Sequence, residues 1–226
     1  MKDCLRKFKI FKNGFTLAEV LITLVIIGVV AALTISPLVN TYVESSTVSK
    51  VKKAMSILGQ AKKLAEVQNG SIEGWNYAGG WSTESVTQLW QYLKPHISLT
   101  KDCGTSPGCY QSDGVYQLNG NLHNRNYDTD NLFYKFVLSD GSVMWMRTFA
   151  EGKCMGSAGE VLNACAVFYY DVNGSKKPNT IGRDIFAFVM AVDGVYPHLT
   201  NDCTKNSQGW DCSGYILKNS NMKYLH

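Results

Sequence analysis

Nothing in the 226 residues spells a His-Glu-x-x-His zinc-protease helix, a glycine-rich phosphate loop or a Cys-x-x-Cys pair. The four histidines, His96, His123, His198 and His226, are scattered, so no contiguous stretch encodes metalloprotease, nucleotide-hydrolysing or thiol-redox chemistry. Internal repeats and low-complexity tracts are missing too, which excludes solenoids and arrays. An excess of one charge is lacking once the first 14 residues are set apart. They hold five of the 22 basic residues and one of the 18 acidic ones, leaving 17 of each. The pI of 8.6 is therefore mostly a property of that short stretch. The remainder carries no basic footprint, and no nucleic-acid partner is expected. These absences predict a chain that is not an enzyme and has no obligatory cofactor.

Charge is also missing from Val20 to Val43, 24 consecutive residues. A bilayer core about 30 Å thick needs roughly 20 apolar residues at about 1.5 Å each, and Val20 to Val39 meets that length. Lys2, Arg6, Lys7, Lys9 and Lys12 precede it against a single Asp3, a bias that keeps the N-terminus cytoplasmic and sends the chain beyond Val39 outward. An ordinary secretory signal begins in the same way but is cut after its apolar region, and Val29-Val30-Ala31 offers such a place. Glu19 argues against it, because a carboxylate inside the apolar run costs a few kcal/mol unless it has a partner. No Cys follows the run, which excludes a lipoprotein.

Gly14-Phe15-Thr16-Leu17-Ala18-Glu19, followed by Val-Leu-Ile-Thr-Leu-Val-Ile-Ile-Gly-Val-Val-Ala-Ala-Leu, resembles the class III signal of type IV pilins and type II secretion pseudopilins. The resemblance covers about 25 contiguous residues. It implies that a prepilin peptidase removes residues 1–14 by cutting between Gly14 and Phe15 and methylates the new amino group of Phe15. It also implies that Glu19 sets subunit register during filament assembly. The physical reason is plain: one subunit's carboxylate neutralises a neighbour's terminal ammonium inside packed hydrophobic helices, turning two costly charges into one pair. Other pilin-like subunits, an inner-membrane assembly platform with its cytoplasmic ATPase, and membrane lipid are the partners so implied. The implied location is the bacterial inner membrane, single-pass, with the N-terminus cytoplasmic and the head outside until assembly.

Beyond the span, Val48, Val51, Met55, Leu58, Ala61 and Ala65 recur at spacings of three and four, with Lys50, Lys52, Lys53, Lys62 and Lys63 on other faces. This predicts an amphipathic continuation of the long helix to about residue 68, stopped at Asn69-Gly70, with the lysines as a solvated face. Gly28 and Pro37 allow two readings, an interrupted helix that lets a filament flex or ordinary tolerance in a membrane helix. Trp81 to Leu93 predicts a second helix ending before Pro95. Strands are expected at 132–138, 142–149, 166–172, 185–192 and 195–199, two pairs of them joined by Asp140-Gly141 and Asp193-Gly194. The expected fold is α+β, a long helix packed on a small antiparallel sheet. The domains are a leader at 1–14, a filament-core segment at 15–39 and a head at 40–226.

Cys4 lies in the leader, and the other six cysteines fall in close pairs. Of the 15 pairings open to six cysteines, the sequential one, Cys103/Cys109, Cys154/Cys165 and Cys203/Cys212, closes three short loops and suits an oxidising exterior. Asp171, Asn173, Asn179 and Asp184 supply hard oxygen ligands of the type calcium takes. The spacing is not that of an EF-hand, because Gly174 comes early and Gly182 stands where the closing Glu belongs. By position and Asp/Asn content the stretch resembles the calcium loop of major pseudopilins. The other reading, which the loose match favours, is a strand-connecting loop with an Asn-Gly turn. Among functions, a type II secretion pseudopilin is expected first. A pilin for adhesion, motility or DNA uptake comes next, followed by a membrane-anchored ligand-binding module using the five Trp and twelve Tyr.

Overall fold

The computed structural model describes residues 14–198 and 202–226. The leader before Gly14, with Cys4, and Leu199 at the end of the fifth expected strand lie outside the described residues. The chain divides into two units between Val43 and Glu44. Helix α1 (Leu17–Asn69) begins in the first unit and ends in the second. In the first unit it runs through Gly28 and Pro37 without a break, and its apolar side chains are exposed apart from half-buried Ala31. Thr23, Thr34 and Thr41 turn their hydroxyls onto the backbone carbonyls of Val20, Val30 and Pro37 at 2.9 to 3.0 Å, so these three hydroxyls are not unpaired donors.

In the second unit, α1 ends where the sequence indicates. Gly70 takes φ +76°, which a Cβ would disfavour, and its N–H donates to Glu66 O at 2.9 Å. Helix α2 (Thr83–Leu93) is capped by Ser82, whose hydroxyl accepts from Ser85 N at 3.0 Å. Among the described residues nine strands follow: β1 (Leu99–Gly104), β2 (Val115–Tyr116), β3 (Leu122–His123), β4 (Tyr134–Leu138), β5 (Val143–Thr148), β6 (Gly156–Ala158), β7 (Val161–Asp171), β8 (Ile185–Ala191) and β9 (Val195–Pro197). Helix α3 (Cys212–Asn219) comes last. The main sheet is antiparallel in the order β1-β4-β5-β7-β8-β9, with β6 also on β7, while β2 and β3 form a separate hairpin.

One face of the sheet packs on the helices. Phe136, Met144, Met146, Phe168, Tyr170, Phe186 and Phe188 meet Val51, Leu58 and Ala61 of α1 and Leu89 and Trp90 of α2. Trp90 stacks on Phe136 with ring centroids 4.2 Å apart and is fully buried, a position where truncation to Ala typically costs about 3–5 kcal/mol. The far face is covered as well, by Tyr110, Tyr127, Phe133, Trp145, Tyr169, Ile185 and Val189, which form a second core the sequence pattern does not indicate. Burial on both faces explains why β7 and β8 read as unbroken apolar runs.

Two expectations need correction. Among the described residues the main sheet has seven strands instead of the four or five expected, because β1 is largely polar and β6 is short, and β2 and β3 add a separate two-residue hairpin. The lysine row of α1 is not simply solvated: Lys62 is buried and donates to Val192 O at 2.9 Å and Glu66 at 2.8 Å. Lys50 donates to Val172 O, Lys52 to Ser220 Oγ and Lys53 to Asp140, so four of the five fasten the helix to the rest of the head.

Candidate functional site

Gly14, Phe15 and Thr16 precede the first turn of α1 in open chain, with Phe15 86% exposed. Nothing lies within 4 Å of a Cβ placed on Gly14. The Gly14-Phe15 bond is thus accessible outside the helix, where a peptidase can receive it. Glu19 is tied to the same turn. Its Oε2 accepts from Thr16 N and from Thr16 Oγ1, each at 2.8 Å, and its own N–H donates back to Thr16 Oγ1 at 3.3 Å. This is a capping box, Thr-x-x-Glu, which satisfies helix-end donors that lipid would leave unpaired. The sequence spells it, although the family resemblance points only to an intermolecular role for Glu19. Both donors use Oε2, and among the described residues none reaches Oε1. The box therefore holds the carboxylate at the helix start with one oxygen open to an incoming cation.

The three disulfides join Cys103 to Cys109, Cys154 to Cys165 and Cys203 to Cys212, the sequential pairing. The first loop is built into the far core. Asp128 accepts from the backbone N–H groups of Gly108, Cys109 and Tyr110 at 2.9 to 3.2 Å. Buried Lys135 donates to Thr105 O at 2.9 Å and Asp130 O at 3.0 Å. Gly104-Thr105-Ser106-Pro107-Gly108 within this loop spells Gly-x-Ser-x-Gly, but it is a disulfide loop and not the strand-turn-helix that exposes a nucleophile.

The four calcium candidates do come together. Asp171 ends β7, Asp184 precedes β8, and both are buried with Asn179. Asp171 accepts from Asn173 N at 3.0 Å through Oδ1 and from Tyr110 Oη at 3.1 Å through Oδ2. Asp184 accepts from Thr180 N at 2.5 Å, from Asn179 N at 2.9 Å and from Asn173 Nδ2 at 3.3 Å. Burial, then the charge of Asp184, pushes the Asp171 carboxyl up to about 8, and burial pushes Asp184 up to about 6. Calcium takes six to eight oxygens. Here each carboxylate oxygen already accepts an internal donor, and Asn173 Oδ1 is the one buried side-chain oxygen of the four residues left without a donor. The described residues contain no group of three or more His, Cys, Asp or Glu fit to hold a metal. The donor set fits a hydrogen-bonded clasp better than a cation cage. Tyr110 and Thr180, which complete the clasp, carry no local signal in the sequence.

An exposed apolar helix with a capped carboxylate at its start precedes a disulfide-stapled α+β head. Residues 11–35 match the prokaryotic N-terminal methylation motif, the signal of type IV pilins and pseudopilins. The motif supports a type IV pilin-like subunit, pilin or pseudopilin, that a prepilin peptidase processes and that assembles with other pilin subunits. It suggests a structural, non-enzymatic protein. With α1, which is long and apolar enough to cross a membrane, it fits a single-pass protein anchored in the inner membrane. Comparison with curated proteins and with solved structures gave no match.

Proposed function

We propose that this chain is a structural subunit of a type IV-class filament, first of all a pseudopilin of a type II secretion system. The reading is carried by the methylation motif at 11–35, supported by the Thr16–Glu19 box at the head of an apolar helix. The N-terminus is cytoplasmic, as the basic leader favours. Prepilin peptidase cuts Gly14-Phe15 and methylates Phe15; the helices then leave the bilayer and pack against one another, driven by an inner-membrane platform. Intact-mass and N-terminal peptide spectrometry of the protein from its host tests this. A mature chain starting at N-methylated Phe15 is expected. A chain still starting at Met1, or cut near Ala32, would overturn the reading.

The loop from Asp171 to Asp184 serves, in this reading, as a cation-independent staple between β7 and β8. Its five internal donors do the work a calcium ion would do. The thermal midpoint of the full chain in detergent is expected to be the same with excess calcium as with chelator. A drop on chelation would restore the loop as a calcium site.

A further inference from the structure

Arg147 stands on the far face of β5, opposite Val167 of β7, on the side of the sheet that carries Phe133, Trp145 and Tyr169. Its guanidinium lies 4.6 Å from the indole of Trp81, which is 51% exposed, and 5.9 Å from the ring of Phe133. Its Nε is buried with no partner. The nearby carboxylates are spent. Asp130 pairs with Arg125 Nε at 3.2 Å, and Arg125 sits over the same Phe133 ring at 5.1 Å. Asp128 is filled by three backbone N–H groups. Lys135 is occupied by two carbonyls. Among the described residues no hydrogen-bond acceptor or carboxylate engages Arg147, so one positive fork is left over beside a half-open aromatic plane.

We infer that Arg147 and Trp81 form a binding site for a carboxylated sugar, a hexuronate unit. A single uncompensated guanidinium matches the single charge and planar two-oxygen edge of a carboxylate better than a phosphate dianion. The exposed indole beside it offers a flat apolar surface to the C–H face of a pyranose ring, a contact that an extended acidic side chain does not use. Contact with the indole holds the guanidinium in place before the ligand arrives, which lowers the ordering cost of binding. The inference does not rest on the filament reading.

The test is a titration of the full chain in detergent micelles, following the indole 1H–15N signals. The probes are trigalacturonate, its methyl ester and a glutamate-rich peptide. Trigalacturonate is expected to move, saturably, one indole signal that Trp81→Phe removes, and the neutral ester to leave it in place. Arg147→Lys keeps the charge and the strand but loses the fork, and is expected to bind at least about tenfold more weakly. Absence of a saturable shift, or equal binding by Arg147→Lys, overturns the inference. A peptide that binds more tightly than the sugar acid also overturns it and assigns the fork to an acidic protein.

Discussion

A Glu19→Ala chain is expected to be cut at Gly14-Phe15 and retained in the membrane, yet to be missing from the sheared filament fraction. Removing the carboxylate lowers the cost of holding the segment in lipid, so anchoring improves. In the proposed filament the group lost is the one that would offset a neighbour's terminal ammonium. Glu19→Gln separates the two roles open to this residue. Glutamine can accept from Thr16 N and Oγ1 as the carboxylate does, keeping the capping box, but brings no charge. If charge pairing sets register, Gln fails as Ala does. Thr16→Val, which loses a cap worth about 1 kcal/mol, only reduces incorporation. Immunoblots of membrane and sheared fractions from the host read all three. Full incorporation of Glu19→Gln would leave capping as the residue's whole purpose.

Much of this is legible in sequence because it is written in local, periodic or contiguous signals. The 24-residue uncharged run, the helix stop at Gly70, the Ser82 cap and the Asp140-Gly141 turn are each decided by neighbours in sequence. The remaining strands lack such a signal. β1 reads Leu-Thr-Lys-Asp-Cys-Gly and fully buries none of its residues, so no alternation marks it. β6 has three residues and β2 and β3 two each, too short for a period to show. The second core is hidden for another reason. It is assembled in part from Tyr110, Tyr127, Phe133 and Trp210, which are spread along loops, and the Cys103–Cys109 loop that leads into Tyr110 is pinned to Asp128 and Lys135. The anchoring role of the α1 lysines escapes the pattern because periodicity shows which face a side chain leaves, not how far a four-carbon stem reaches. At the aspartate loop the residue types are visible, but the partners that satisfy them are 61 residues away in the case of Tyr110.

That loop should make the head more stable in mild acid than at neutral pH, against the usual behaviour of buried aspartates that are paired with cations. Both carboxyls sit above the roughly 3.9 of an unfolded aspartate, Asp171 at about 8 and Asp184 at about 6. The folded chain then binds more protons than the unfolded chain between about pH 4 and about pH 8, and stability falls as pH rises through that window. Asp140 works in the opposite sense. Its own burial would raise it, but hydrogen bonds from Ser142 and Lys53 outweigh that and hold it at about 2, so its contribution disappears as pH falls from about 4. A stability maximum near pH 4 to 5 is expected. Asp171→Asn imitates the protonated acid and should flatten the decline above pH 5 at little cost at pH 6. Asp184→Ala strands the N–H groups of Asn179 and Thr180 inside the protein and should cost on the order of 3 kcal/mol or more at every pH. Urea unfolding of the full chain in detergent at pH 4.5, 6 and 8 measures both. A wild-type profile that rises from pH 5 to 8, or an Asp171→Asn profile parallel to it, would show that the two carboxyls are ionised in the fold.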